Sequence, residues 1–288
     1  MTNINRRAFL GKAALAGGAL ALTQLPQQLL AAAKAAHMPV GFQTFPVRDK
    51  LGKDFSGTLK SFAGMCYSLT EMCYPVDYAQ IGYGFLKDTK PADIKKTIED
   101  AGLKCPSSHF GTASLKPEKI DATIEWAKAM GLTQMICSTF WLPKTATLKD
   151  YADNAEKLNK AAEKIKAAGM QAGFHNHDFE FHELEGKLIY DELMAYFDPK
   201  LVKMQFQTEV INLGYKAADY FRKYPGRFIS SHLSDWTADK KEVAIGQGVI
   251  DWKDFFKAAK AGGVKNIFVE METSPENMAT SATYIKSL

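Results

Sequence analysis

Short apolar runs recur along the chain, and each follows a charged amphipathic stretch that stops at glycine. Asp93 to Ala101 stops at Gly102 before an apolar run ending in Pro106-Ser107-Ser108-His109. Ile120 to Met130 stops at Gly131, Tyr151 to Ala168 at Gly169, and Phe255 to Ala261 at Gly262-Gly263. Glycine at that place supplies the left-handed residue that ends a helix and turns the chain into the next strand. Phe62-Ala63-Gly64 is expected to do the same. The predicted strands are Val40–Phe45, Cys66–Met72, Pro106–His109, Met135–Thr139, Ala172–His177, Lys203–Thr208, Phe228–Leu233 and Asn266–Met271. Eight strands alternating with helices predict a single parallel (β/α)8 TIM barrel. A doubly wound open sheet fits less well, because no glycine-rich phosphate loop follows the first strand.

The first residues do not belong to that pattern. Asn5-Arg6-Arg7-Ala8-Phe9-Leu10 is a twin-arginine pattern, an apolar run follows from Ala13 to Leu22, and small residues surround Ala31-Ala32-Ala33. Residues 1–36 therefore read as an export signal and residues 37–288 as the barrel domain, which places the mature protein in the periplasm or beyond. The apolar run is too short to span a bilayer and carries a Gly-Gly pair, so no membrane span is expected once the signal is gone.

Setting the signal aside changes the charge argument. Four of the 36 basic residues (Arg6, Arg7, Lys12, Lys34) and none of the 32 acidic residues lie in it, so the remainder balances at 32 of each. A nucleic-acid binder would keep a basic excess, and none is expected as a partner. The four cysteines, Cys66, Cys73, Cys105 and Cys137, lack zinc-ribbon spacing. Three of them sit in apolar runs and read as buried thiols, and a strand between Cys66 and Cys73 would hold that pair too far apart to bridge.

The candidate chemistry concentrates where strands end. Phe174-His175-Asn176-His177-Asp178-Phe179-Glu180-Phe181-His182-Glu183 holds three of the six histidines and three carboxylates. In a parallel barrel the active site lies at the C-terminal strand ends. Those ends also supply Glu71, His109, Gln205, Gln207, His232, Asp235, Glu270 and Glu272. A single histidine at such a place is more often structural than a ligand. Nearly every strand contributing a polar group at one end is different, because burying so many is costly without a ligand or metal. Alternation puts His175 with His177, and Glu270 with Glu272, on common faces.

Carrying these residues, the chain resembles the xylose-isomerase-like barrel superfamily of sugar phosphate isomerases and epimerases. The matching segments are Gly41 to Asp49, Ser107-Ser108-His109-Phe110-Gly111, Gly173 to Phe181, Tyr224 to Phe228, His232-Leu233-Ser234-Asp235, Gly246 to Trp252 and Phe268-Val269-Glu270. The resemblance implies a divalent metal (Mn, Co, Zn or Mg) held by Glu180 or His175, Gln207, His232 and Glu270. Gln207 departs from the family pattern, where aspartate is usual. A neutral amide lowers affinity for a hard cation, and Glu209, two residues on, could compensate.

The resemblance further implies a carbohydrate substrate chelated through its carbonyl and hydroxyl, and an enediolate formed by proton abstraction. Glu270 or Glu180 is expected to share that proton transfer with His177. Glu71, His109 and His175 would orient hydroxyls, while Phe42, Phe110 and Trp141 could cover the apolar sugar face. Three readings follow: an isomerase or epimerase of a free or keto sugar, a lyase or hydratase acting on 3-keto-glycosides, and a non-catalytic sugar-binding barrel. Homo-oligomerisation is compatible with each.

Overall fold

A computed structural model describes residues 38–288, and all eight expected strands form in it. They are β1 (Val40–Gln43), β2 (Leu69–Cys73), β3 (Lys104–Phe110), β4 (Gln134–Cys137), β5 (Gln171–His175), β6 (Val202–Gln207), β7 (Phe228–Leu233) and β8 (Asn266–Val269). Neighbours pair in parallel, and the order β1-β8-β7-β6-β5-β4-β3-β2 closes on itself. The fold is the expected barrel, and the open doubly wound sheet is excluded. The proposed leader, residues 1–36, lies outside the described residues. Among the described residues, no helix is long and apolar enough to cross a membrane.

Alternation along the strands separates lumen from core. Gln43, Glu71, Ser107, Gln205 and His232 hydrogen-bond to one another across the barrel, so their side chains point inward. The residues between them point outward. Phe42 stacks on Phe62 with ring centroids 4.2 Å apart, and Phe206 meets Tyr190, Tyr220 and Phe221. This apolar layer between strands and helices is the main core, where burial of each large ring contributes about 2–3 kcal/mol.

The helices around it are α1 (Arg48–Lys53), α2 (Phe55–Gly64), α3 (Pro91–Asp100), α4 (Ile120–Met130), α5 (Leu148–Ala167), α6 (Ile189–Tyr196), α7 (Ala217–Lys223), α8 (Trp252–Gly262) and α9 (Met278–Ser287). In α5 the buried residues Leu148, Tyr151, Ala155, Leu158, Ala162 and Ile165 recur at helical spacing, and a Thr147–Asp150 capping box starts the helix. Gly102, Gly131, Gly169 and Gly263 take the left-handed conformation expected of them, with φ from 75° to 87°. Gly64 does not. It ends α2 in helical conformation, and the left-handed residue is Cys66 (φ 75°), two positions later. Cys66 is thus exposed ahead of β2, while Cys73, Cys105 and Cys137 are buried, and all four thiols are free.

Two glycines set the layer beneath the candidate site. A Cβ on Gly41 would lie 2.5 Å from Cδ1 of Phe268, its register partner on β8, and one on Gly173 would lie 2.4 Å from Cδ1 of Ile136, its partner on β4. Both bulky side chains are fully buried. Each glycine leaves room for a large neighbour to lean into the lumen, which packs that layer solid.

Candidate functional site

His232, on the lumen face of β7, sits between two carboxylates. Its Nε2 is 2.5 Å from Glu71 Oε2 and its Nδ1 is 2.6 Å from Glu270 Oε2. Both ring nitrogens can donate only in the imidazolium form, so the arrangement favours that state. Burial opposes the charge, but Glu270 and Glu71 outweigh it and push the imidazole pKa up to about 10. Burial would likewise raise both carboxyls, and the adjacent histidines instead hold them below the ordinary carboxylate range.

Neutral donors complete the network. Gln43 Nε2 (2.9 Å), Ser107 Oγ (2.5 Å) and Gln205 Nε2 (2.9 Å) donate to Glu71, and Gln207 Nε2 donates to Glu270 Oε2 at 2.8 Å. Gln205 also bonds Ser230 Oγ through Nε2 and His109 Nε2 through Oε1, the latter at 2.7 Å. Glu71 is fully buried beneath the histidines, which makes it a residue that positions them.

His109, His175 and His232 converge above Glu71. One ring nitrogen of each lies within 4.8 Å of the others, and ring centroids are 4.4 to 5.0 Å apart. Burial, then repulsion from the neighbouring histidines, keeps His175 neutral by driving its pKa well below the usual value. Its Nδ1 has no hydrogen-bond partner, nor has Gln207 Oε1. These residues are 2% and 5% exposed, so the unpaired atoms are out of reach of bulk water.

The expected strand through His177 ends two residues earlier, at His175. The chain turns there because His177 N donates to Glu180 Oε2 at 2.7 Å, while Thr139 Oγ1 donates to Glu180 Oε1 at 2.7 Å. With both oxygens engaged and the side chain fully buried, Glu180 lies outside the three-histidine grouping. Burial raises its pKa to about 8. His177 is half-buried at the mouth, where burial lowers its pKa to about 4, and its Nδ1 is unpartnered. Its ring stacks on Phe179 at 5.3 Å, and Trp141, 65% exposed, stands 5.4 Å away.

Phe42 and Phe110 are not part of this mouth. Phe42 packs under α2, and Phe110 packs on Tyr74 and Trp126, because each occupies an outward strand position. Asp235, another strand-end acid, serves the loop after β7. It accepts from the amides of Trp236, Gly246 and Gly248 and from Trp252 Nε1 at 2.8 to 3.0 Å. The Gly246-Gln247-Gly248 segment is thereby explained as packing around a carboxylate, since a Cβ on Gly248 would lie 2.2 Å from Asp235 Oδ1. Gln43, Ser107, Ser230 and Thr139 were absent from the sequence-based site, although the first three lie on lumen faces that alternation identifies.

The sequence profile described as the xylose isomerase-like TIM barrel matches residues 71–288. The chain belongs to that family. Its fold is shared with a sugar phosphate isomerase/epimerase from Parabacteroides distasonis (24% identity, TM-score 0.73, covering 88% of this chain and 94% of that one). A second sugar phosphate isomerase/epimerase from the same organism is 25% identical, with a TM-score of 0.71 over 86% of this chain and 97% of that one. The IOLI protein with a bound zinc atom is 14% identical, with a TM-score of 0.62 over 87% and 94%. No curated protein matches the sequence.

The metal implied by the family can be tested against these residues. Three buried histidines at ligand spacing, His175 neutral with an unpaired nitrogen, and the unpaired amide oxygen of Gln207 form a donor set that fits a divalent cation once His232 gives up the proton it shares with a carboxylate. Of the ligands expected from sequence, His175, Gln207, His232 and Glu270 gather at one place, and Glu180 does not.

Proposed function

We propose that this protein is a metal-assisted isomerase or epimerase of hydroxy-carbonyl sugars that works through an enediolate. The carrying observation is the convergence of His109, His175 and His232 at the C-terminal mouth, with the unpaired His175 Nδ1 and Gln207 Oε1 beside them. A divalent cation held by His175, Gln207, Glu270 and, once its imidazolium has given up a proton, His232 would polarise the sugar carbonyl and stabilise developing negative charge.

The chain's own residues handle the proton. His177, neutral at pH 7 and with a free Nδ1, removes the hydrogen from the carbon next to the carbonyl. The C–H pair becomes the C=C bond of the enediolate, and the carbonyl π pair moves to oxygen. Glu270 offers the second position for proton transfer, its Oε2 being fixed by His232 and Gln207. Return of a proton to the same carbon from the other face epimerises it. Return to the adjacent carbon, with the hydroxyl proton passing to the former carbonyl oxygen, isomerises the sugar. Glu180 acts by fixing the His177 backbone.

Elimination across a 3-keto-glycoside is the second reading. It begins with the same proton abstraction, and the exposed Trp141 indole beside His177 favours it by offering a face for the leaving group. Incubation of the manganese-loaded protein with keto sugars and 3-keto-glycosides in deuterium oxide tests both. Deuterium at the α-carbon with the glycoside intact supports isomerisation, and release of the aglycone supports elimination. Absence of both, together with no calorimetric binding of manganese, cobalt or zinc, would leave only the non-catalytic barrel.

A further inference from the structure

The helical wall of the barrel is incomplete between α4 and α5. Lys164, late in α5, reaches both carboxylate oxygens of Asp121, in the first turn of α4, at 2.9 Å. That bridge fixes the two helices lengthwise, and on the order of four turns of α5 precede it. Those turns run on past the start of α4. What faces them is the 3-10 turn Thr112–Leu115 and the residues up to Pro117, and between the two walls lies a cleft of about 410 Å³. Small-molecule sites occupy roughly 300–1,000 Å³.

The floor of the cleft is apolar. Leu115, Ile120, Phe140, Leu158 and Ala161 form it with the Cys137 thiol, and all six are buried. The rim is basic. Lys157, Lys160 and Lys164 lie three and four residues apart on one face of α5, and Lys116 stands on the opposite wall. Among the described residues that line the cleft, Glu163 is the single acid. Lys164 is bound to Asp121 and Lys160 to Glu156, whereas Lys116 and Lys157 enter no ion pair among the described residues.

We infer that this cleft is a second ligand site, for a small amphipathic anion with an alkyl tail of medium length and one negatively charged head. The tail lies on the apolar floor, and the head meets Lys116 and Lys157. A free sugar is a poor occupant, because the floor leaves its hydroxyls unpaired. The segment ahead of the barrel is no better: residues 1–36 carry Arg6, Arg7, Lys12 and Lys34 and no acid, which would set like charge against the lysines. The cleft backs onto the histidine site without opening into it. The Phe140 ring packs on Phe174 at 4.8 Å and Phe197 at 6.2 Å, while Thr139 before it holds Glu180 and Trp141 after it stands beside His177. Nothing in this site depends on the proposed sugar chemistry.

Calorimetry with n-alkanoates from octanoate to dodecanoate, kept below their micelle concentrations, tests the floor. Affinity should rise about fourfold per added methylene. Decanol, which lacks the charge, should bind about fivefold more weakly than decanoate, and the difference should close in about 0.5 M salt. Lys116→Gln/Lys157→Gln, at two exposed positions, should bring decanoate down to the level of decanol while leaving decanol binding and the urea midpoint unchanged. Ala161→Leu narrows the cleft and should weaken both ligands. Methyl spectra locate the tail, with decanoate expected to shift Leu115, Ile120 and Leu158. Decanoate that binds no tighter than decanol, or an affinity untouched by the lysine substitutions, overturns the site. So do shifts confined to the Trp141 indole, which would put the tail at the sugar mouth. A dimer in sedimentation that excludes decanoate would make the cleft a contact between two copies of the chain and overturn it equally.

Discussion

Replacing Glu180 with glutamine should remove a loss of stability that grows between pH 4.5 and about 8, and the size of the effect follows from where the carboxyl sits. The group is fully buried, accepts from Thr139 Oγ1 and His177 N, and is raised by burial from 4.5 to about 8. Between those values the folded protein keeps a proton that the unfolded chain has lost, so stability is greatest below pH 4.5 and is lost as pH rises through 8. Each pH unit in that window removes about 1.4 kcal/mol, for a total on the order of 4–5 kcal/mol. His175 and His177 act in the opposite sense: held neutral by burial, they cost stability as pH falls below 6.5. Only the difference between wild type and Glu180→Gln therefore isolates Glu180. Urea unfolding in EDTA, followed by both circular dichroism and tryptophan fluorescence at intervals from about pH 5 to about pH 9, measures it. Relative to wild type, Glu180→Gln should gain up to about pH 8 and level off above it, with an unchanged urea slope. Stability curves that stay parallel from end to end would refute the assignment of a neutral buried acid at this position.

Three further outcomes follow from the same geometry. Gly41→Ala should destabilise the barrel by about 1–3 kcal/mol through collision with Phe268, and Phe268→Leu in the same chain should restore much of the loss, as read by urea midpoints. Asp235→Ala removes the acceptor for the Gly246 and Gly248 amides and for Trp252 Nε1. Hydrogen exchange at those two amides should rise by an order of magnitude or more, and unchanged protection would show that the loop is held by other contacts. Gln207→Asp adds a charge to the donor set and should raise affinity for manganese or cobalt in calorimetry, whereas unchanged or weaker binding would remove Gln207 from the ligands.

Much of this architecture is legible in the sequence because its signals are local. Glycine after an amphipathic run marks a helix end whatever the tertiary context, and four such positions behave as expected. The exception at Gly64 is instructive: the turn there is made by Cys66, a residue whose side chain gives no sign of a left-handed backbone. Alternation brought His175, Gln207, His232 and Glu270 to one face, since the period of two holds as long as the strand does. It failed where the strand stopped. His177 lies beyond the end of β5, and Glu180 bends back onto its backbone, a contact that spacing does not encode. Phe42 was misplaced for a different reason. Its aromatic character suggested a sugar face, whereas its position between the inward residues Gly41 and Gln43 already pointed it at the helices.

Phe268 and Ile136, leaning over Gly41 and Gly173, act as a stopper in the barrel. With that end plugged, the histidine chamber has a single doorway. A molecule that reacts inside must leave by the way it came in, and the next cannot enter until it has gone. Substrate and product would thus compete for one passage, and accumulated product should inhibit by occupying the entrance as much as the site.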